Sequence, residues 1–325
     1  MTFLIVFFVI LVLIELIYFQ LADRFNIIDK PNERSSHTKT TLCGGGIIFP
    51  IAAILFFCLY DFNYHWFMIG LLSISIVSFW DDLRSLSLIF RLGVQLSAIL
   101  LMFYQAGLFY ENLWLIPILL IFCGGIINAY NFMDGINGIT GGYSLVVLLG
   151  LSWVNLFAVE FIDQHILNCI IVSLLVFNFF NFRTKAKCFA GDVGSVSIAF
   201  IILFALGLLM LKTRDFSWIC FLAVYGVDSV LTIFHRILLK ENITKPHRKH
   251  LYQLLANELK IPHIFVSLIY MLVQSVIIFG YLVCRQYLEP LGVWIYVGVA
   301  LLLLSLLYVI TKLKWFQLHE IKNLP

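Results

Sequence analysis

Eleven apolar segments punctuate this chain, at about 3–21, 44–60, 66–80, 88–107, 112–130, 139–158, 165–182, 195–211, 217–238, 263–284 and 290–311. Runs of this length and composition belong in hydrocarbon, where only a helix satisfies its own backbone N–H and C=O groups. A mean hydropathy of +1.00, with 62% hydrophobic and 12% charged residues, lies well outside the composition of a soluble core. The expectation is an all-α, polytopic transmembrane helix bundle. It has about eleven spans, with ten as the alternative count, and forms a single integral-membrane domain over 1–325. The polar stretches at about 21–43 and 239–262 are too short for a second domain.

Charge then sets an orientation. All but three of the 21 Lys and Arg residues fall in the loops after odd-numbered segments or in the C-terminal tail; Lys212, Arg214 and Arg285 are the exceptions. The positive-inside rule therefore places those loops in the cytoplasm, the N-terminus outside and the C-terminus inside. The first segment lacks a basic leader and a small-residue cleavage site, so a retained helix is expected rather than a signal peptide. A net charge of +3 gives no nucleic-acid footprint. Seven scattered cysteines without a Cys-x-x-Cys pair read as buried, reduced thiols.

The polar motifs cluster on the same predicted face. They are Asp29-Lys30-Pro31-Asn32-Glu33-Arg34-Ser35-Ser36-His37-Thr38-Lys39, the adjacent Asp81-Asp82, and Asn128-Ala129-Tyr130-Asn131-Phe132-Met133-Asp134-Gly135-Ile136-Asn137-Gly138. Two more follow, Phe189-Ala190-Gly191-Asp192-Val193-Gly194-Ser195 and His247-Arg248-Lys249-His250-Leu251-Tyr252-Gln253. Carboxylates at Asp81, Asp82, Asp134 and Asp192 supply hard oxygen ligands suited to Mg²⁺, with Mn²⁺ as the substitute. Arg34, His37, Lys39, Arg91, Arg236, His247, Arg248 and His250 are cationic donors suited to phosphates. That combination, with no activated Ser or Cys, points to phosphoryl transfer, which depends on positioning and charge neutralisation.

Each motif alone has a plainer reading. Asp81-Asp82 is also a solvated helix end with Arg84 beside it. Asn128 and Asn131 are also a hydrogen-bonded helix face, and Gly191-Asp192 is also a turn and helix cap. Leu251, Leu254, Leu255 and Leu259 after Pro246 predict a short amphipathic helix carrying the histidine motif. Asp228, two turns before Arg236 inside a span, reads equally as a structural or a catalytic group.

Taken together and in this order, the motifs resemble those of the polyprenyl-phosphate N-acetylhexosamine-1-phosphate transferases (glycosyltransferase 4 family), and they cover nearly the whole chain. The resemblance implies ten or eleven membrane helices and a Mg²⁺-dependent cytoplasmic site in the bacterial inner membrane. Its partners would be a UDP-N-acetylhexosamine, undecaprenyl phosphate and the lipid bilayer, with a homodimer as the expected assembly and no nucleic acid. The implied reaction yields undecaprenyl-diphospho-sugar and UMP. Carried over by motif, Asp192 and Asp134 would serve the metal, and Asp81 and Asp82 would lie near the lipid phosphate. His37, Lys39 and Arg91 would hold phosphates, with Arg34 and Arg236 as substrate-binding candidates by their charge. Asn181 and Phe189 would contact uracil, and Asn128, Asn131 and Asp134 would line the sugar-nucleotide pocket, with Asn137 a further substrate-binding candidate. His247 and His250 would meet the diphosphate, with Arg248 a substrate-binding candidate beside them.

Three departures bear on this carry-over. Asn137 stands where several relatives carry a second Asp. The Asn181-to-Asp192 interval is one residue longer than usual. Two histidines replace the run of three typical of the lipid I translocase, and the His-Arg-x-His-Leu-Tyr-Gln form resembles the subgroup that starts O-antigen-type glycans. A membrane transporter and a non-catalytic scaffold are the readings from other classes. The lack of paired halves and the loop position of the charges weigh against the first, and the retained carboxylates against the second.

Overall fold

The computed structural model describes residues 2–29, 40–60, 62–110, 113–242 and 247–322. Among them, ten helical segments are long and apolar enough to cross a bilayer, and a shorter apolar one runs over Gly45–Leu59. The helices are α1 (Thr2–Arg24), α2 (Ile48–Leu59), α3 (His65–Leu83), α4 (Leu88–Gln105), α5 (Ile116–Met133) and α6 (Ile139–Phe157). They continue as α7 (Gln164–Asn181), α8 (Gly191–Thr213), α9 (Ala223–Leu238), the one-turn α10 (Leu251–Gln253), α11 (His263–Tyr287) and α12 (Pro290–Lys322). The protein is an all-α, polytopic membrane bundle. The described strand structure is a two-residue hairpin, β1 (Ile28–Asp29) with β2 (Thr41–Leu42), paired Ile28 to Leu42 and Asp29 to Thr41.

Length separates α2 from the other spans, yet connectivity makes it cross. Its first turn hydrogen-bonds Phe189 and Ala190 at one end of the bundle. At its other end Tyr60 meets Phe3 of α1 at 5.9 Å and stacks on His165, at the start of α7, at 4.3 Å. The chain therefore crosses eleven times between the two ends, as the eleven apolar segments predict. The N-terminus lies at the end away from Asp82, and α12 returns to the opposite end, where Lys312 donates to the Lys249 carbonyl.

The core forms around α8, the most enclosed of the spans. Phe67 of α3 stacks on Phe200 and Phe204 of α8, with centroids 5.4 and 4.1 Å apart. One span breaks α-helical geometry: the segment predicted over 217–238 is a 3₁₀ stretch, Phe216–Leu222, running into α9. Non-α backbone at this depth needs a partner, and Gln274 of α11 supplies one. Fully buried, it donates to the Cys220 carbonyl and accepts from the Val224 N–H and the Tyr143 hydroxyl at 3.0, 3.1 and 2.8 Å. All seven cysteines are unpaired, but only Cys123, Cys169, Cys188 and Cys220 are buried as expected; Cys43 and Cys284 are half-buried and Cys58 is exposed.

Two boundaries shift motifs from loops onto helices. Asp81 and Asp82 lie in the last turn of α3, and Asn128 and Asn131 in the last turns of α5. Apolar content stops before the helix does, because the final turns face a polar cavity rather than lipid. The predicted amphipathic helix after Pro246 also differs. His247 and His250 precede it in extended chain, and α10 passes into a π turn, Leu254–Glu258. Tyr252, Gln253, Leu254 and Ala256 are its buried residues, so it is built into the bundle rather than laid on a leucine face.

Candidate active site

The ends of α3, α5, α7, α8 and α11, the short α10 and strand β1 surround a cavity of about 470 Å³ at one end of the bundle. Asp81, Asp82, Asp134 and Asp192 all line it, together with Asn131, Asn137, Asn181 and Phe189. Residues 111 positions apart in sequence, Asp81 and Asp192, thus meet at one cavity.

Asp82 holds the site together. Its Oδ1 accepts from the Asp192 N–H at 2.8 Å and its Oδ2 from the Val193 N–H at 3.0 Å, and the Cys43 thiol lies 3.7 Å from Oδ1. The carboxylate at the end of α3 therefore caps the exposed N–H groups at the start of α8, where negative charge also meets the favourable end of the helix dipole. Such an approach restricts the backbone. Gly191 has φ +72°, and a Cβ there would meet Asp82 Oδ2 at 2.7 Å and Gly44 N at 2.9 Å. A Cβ on Gly46 would overlap the backbone of Gly194, so the first turn of α2 and α8 touch main chain to main chain.

Asp81 is also committed. It accepts from the Leu86 N–H at 2.6 Å through Oδ1 and forms a close ion pair with Arg91 through Oδ2. Arg91 then leans toward Asp192, 3.5 Å from its Oδ2. Asp192 is the more open of the two carboxylates around Arg91, its side chain 30% exposed against 10% for Asp81. Asp134 follows the end of α5. Desolvation there, reinforced by the like charges of Asp192 and Asp29, pushes its carboxyl up to about 7.

The asparagines divide. Asn181 donates to the Cys188 carbonyl at 2.8 Å and accepts from the Gly138 N–H at 2.7 Å, so both polar ends of its amide clamp loops. Asn137 donates to the Arg183 carbonyl at 2.7 Å. Both thus shape the wall on which Phe189 sits. Asn128 lies off the cavity, its amide donating to the Gly124 carbonyl one turn back at 2.7 Å, which is the plainer helix-face reading.

The histidine motif stands behind the cavity wall. His247 and His250 stack on each other at 5.0 Å and flank Phe132, which lines the cavity, at 6.3 and 6.4 Å. Burial, with His250 and Arg236 nearby, lowers the His247 imidazole to about 3, so it is neutral at pH 7. Arg236 is buried and donates to Glu241 at 3.2 Å and to the Asn242 carbonyl. Arg248 does not line the cavity. Arg34, His37 and Lys39 lie outside the described residues.

Asp29, Cys43, Tyr252, Gln253 and His263 also line the cavity, although none of them carries an individual role in the motif reading. Asp29, Tyr252 and Gln253 sit inside motifs; His263 is a lone histidine after Pro262, with no pattern to mark it.

The donor set suits a hard divalent cation. Five carboxylates face one cavity, and Arg91 is the guanidinium held against them. Among the described residues no three Asp, Glu, His or Cys side chains converge into a ready-made cage. Of the motif carboxylates, Asp82 already accepts three donors, whereas Asp192 and Asp134 retain oxygens for a ligand.

Fold and site together define a multi-pass membrane enzyme with a carboxylate-lined cavity at one end of its bundle. Residues 64–211, which carry Asp81, Asp82, Asp134 and Asp192, match the family model described as glycosyl transferase family 4. Over this stretch the chain is similar to that transferase family. It is 27% identical over 254 residues to a probable undecaprenyl-phosphate N-acetylglucosaminyl 1-phosphate transferase of Bacillus subtilis, covering 72% of this chain and 70% of that protein. An undecaprenyl-phosphate alpha-N-acetylglucosaminyl 1-phosphate transferase of Thermotoga maritima is 25% identical over 248 residues, 73% of this chain and 76% of the relative. Similarity to a phospho-N-acetylmuramoyl-pentapeptide-transferase of Leuconostoc mesenteroides is 40% but spans 75 residues, 22% of each chain.

Proposed function

We propose that this protein transfers an N-acetylhexosamine-1-phosphate from a UDP-sugar to undecaprenyl phosphate at the cytoplasmic face, releasing UMP and starting a lipid-linked surface glycan. The observation that carries this reading is the convergence of Asp81, Asp82, Asp134 and Asp192 on one cavity at the bundle end where the basic loops lie. The similarity to undecaprenyl-phosphate N-acetylglucosaminyl 1-phosphate transferases over about 72% of the chain supports undecaprenyl phosphate as acceptor and a hexosamine 1-phosphate as the group transferred.

The chemistry needs little from a protein nucleophile. A lipid phosphate is ionised at neutral pH, so its oxygen attacks the β-phosphorus of the UDP-sugar directly. The bond from that phosphorus to the bridging oxygen breaks, and UMP departs with the electron pair. The obstacle is the meeting of two anions. Mg²⁺ bound by Asp192 and Asp134 would supply charge neutralisation. Arg91, steered by Asp81 and directed toward Asp192, adds a fixed positive charge beside the cavity. Asp82, saturated by backbone N–H groups, holds the start of α8 in place. Asn137 and Asn181 keep the loop that carries Phe189 in register for a base.

Mass-spectrometric detection of an undecaprenyl-diphospho-N-acetylhexosamine tests the proposal, using purified protein, Mg²⁺, undecaprenyl phosphate and an equimolar mixture of UDP-N-acetylhexosamines. The expected result is one dominant diphospho-sugar lipid, with UDP-N-acetylglucosamine as the first donor to examine. Absence of any such lipid would refute the reading. A phospho-sugar adduct trapped on Asp81 or Asp82 without acceptor would replace direct attack with a two-step route.

A further inference from the structure

One carboxylate deep in the bundle has no part in the chemistry above. Asp228 of α9 is 3% exposed, and its oxygens gather donors from three directions. Oδ1 accepts from the Leu251 N–H at 2.9 Å and the Thr232 hydroxyl at 3.2 Å. Oδ2 accepts from the Tyr270 hydroxyl at 2.6 Å and, more weakly, the Tyr252 N–H at 3.4 Å. His250 Nδ1 lies 3.3 Å from Oδ1. A carboxylate has no proton to give, so Nδ1 must be the protonated ring nitrogen facing it. His250 Nε2 is buried and has no protein partner.

We propose that Asp228 is a positioning residue that fixes the His250 tautomer and anchors the 250–253 turn, so that Tyr252 and Gln253 form the cavity wall. The turn is short and irregular, and its local tie is the cap between His250 and Gln253. It enters in extended conformation at His250, makes a single turn of α-helix, and then changes to π geometry. Its first N–H groups are orphans that need an acceptor, and the buried carboxylate of a different helix supplies it. From that anchor, Tyr252 reaches back to donate to the Phe132 carbonyl at 2.9 Å, and Gln253 Oε1 accepts from the His250 N–H at 3.2 Å. Tyr252, Gln253 and Phe132 all line the cavity, so the Asp228 carboxylate shapes a surface it does not itself reach.

The effect on turnover rests on the transferase reading; the effect on His250 does not. Histidine-¹⁵N spectra of the full-length protein in detergent, assigned with His250→Gln, report which ring nitrogen carries the proton. Wild type should show a protonated Nδ1, and Asp228→Asn should lose that preference while UMP release falls at least tenfold, mainly in kcat. Tyr270→Phe, which keeps every contact between Asp228 and the turn, should stay within about threefold of wild type and leave the His250 signal in place. An unprotonated Nδ1 in wild type would overturn the proposal even if Asp228→Asn fails to fold, and so would an unchanged His250 signal or unchanged turnover in a folded Asp228→Asn. Absence of UMP release from wild type would instead count against the transferase reading, with the spectra still deciding the role of Asp228.

Discussion

Replacing Asp82 by Asn separates structure from chemistry in this site. Asp82 spans the gap between α3 and α8 by giving one oxygen to the Asp192 N–H and the other to the Val193 N–H. Asparagine keeps one acceptor and turns a donor toward the second N–H. One charge-assisted hydrogen bond is lost, at about 1.5–3 kcal/mol, and a buried N–H is left unpaired, at about 1–3 kcal/mol. Because the two overlap, a loss of about 2–4 kcal/mol is expected. Asp192→Asn should behave oppositely, because its half-open carboxylate has Arg91 at 3.5 Å as its charged partner and Asp81 and Asp82 as like-charged neighbours. Its thermal midpoint should stay within about a degree of wild type, or rise, while UMP release falls at least a hundredfold. Differential scanning fluorimetry in detergent, paired with UMP release, reads both. Equal destabilisation by the two substitutions would refute the division between a clamp at Asp82 and a ligand at Asp192.

Other consequences are as direct. Gly46→Ala should prevent α2 and α8 from meeting and yield little folded protein by size-exclusion chromatography, since the added methyl overlaps backbone that has no rotamer to escape into. Gln274→Leu leaves the Cys220 carbonyl, the Val224 N–H and the Tyr143 hydroxyl without their shared partner and should lower the thermal midpoint by several degrees. Divalent-cation affinity, measured by calorimetry, should rise from pH 6 to pH 7 and level off by pH 8, because a cation must displace the proton that desolvation holds on Asp134 up to about pH 7. The same raised value means that this group's contribution to metal-free stability falls as pH climbs from about 4 toward 7. A pH-independent affinity would remove Asp134 from the ligand set.

The membrane architecture was legible because hydrocarbon tolerates so few alternatives: eleven apolar runs became eleven crossings, including α2, which length alone would discard. The carboxylates of the cavity were legible because each falls at the end of a run, where lipid gives way to polar surroundings. Their division of labour was not. Nothing local distinguishes Asp81 from Asp82; the difference comes from backbone N–H groups 110 positions later and from Arg91 on the next helix. His250 illustrates the same limit. Its spacing from His247 suggested a phosphate contact, whereas the fold turns its Nδ1 toward Asp228 on α9. Asn128, which bonds within its own helix, reads from local sequence as well as any functional asparagine would. Long-range partnerships of this kind leave no periodic trace.

The central claim is that one carboxylate-lined cavity joins a sugar nucleotide to a lipid phosphate. UMP release by purified protein from UDP-N-acetylglucosamine, with undecaprenyl phosphate and Mg²⁺ each supplied or withheld, tests it most directly. The account predicts release only when both are present, and its loss in Asp192→Ala. Release that persists without the lipid phosphate, or undiminished turnover in Asp192→Ala, would contradict it.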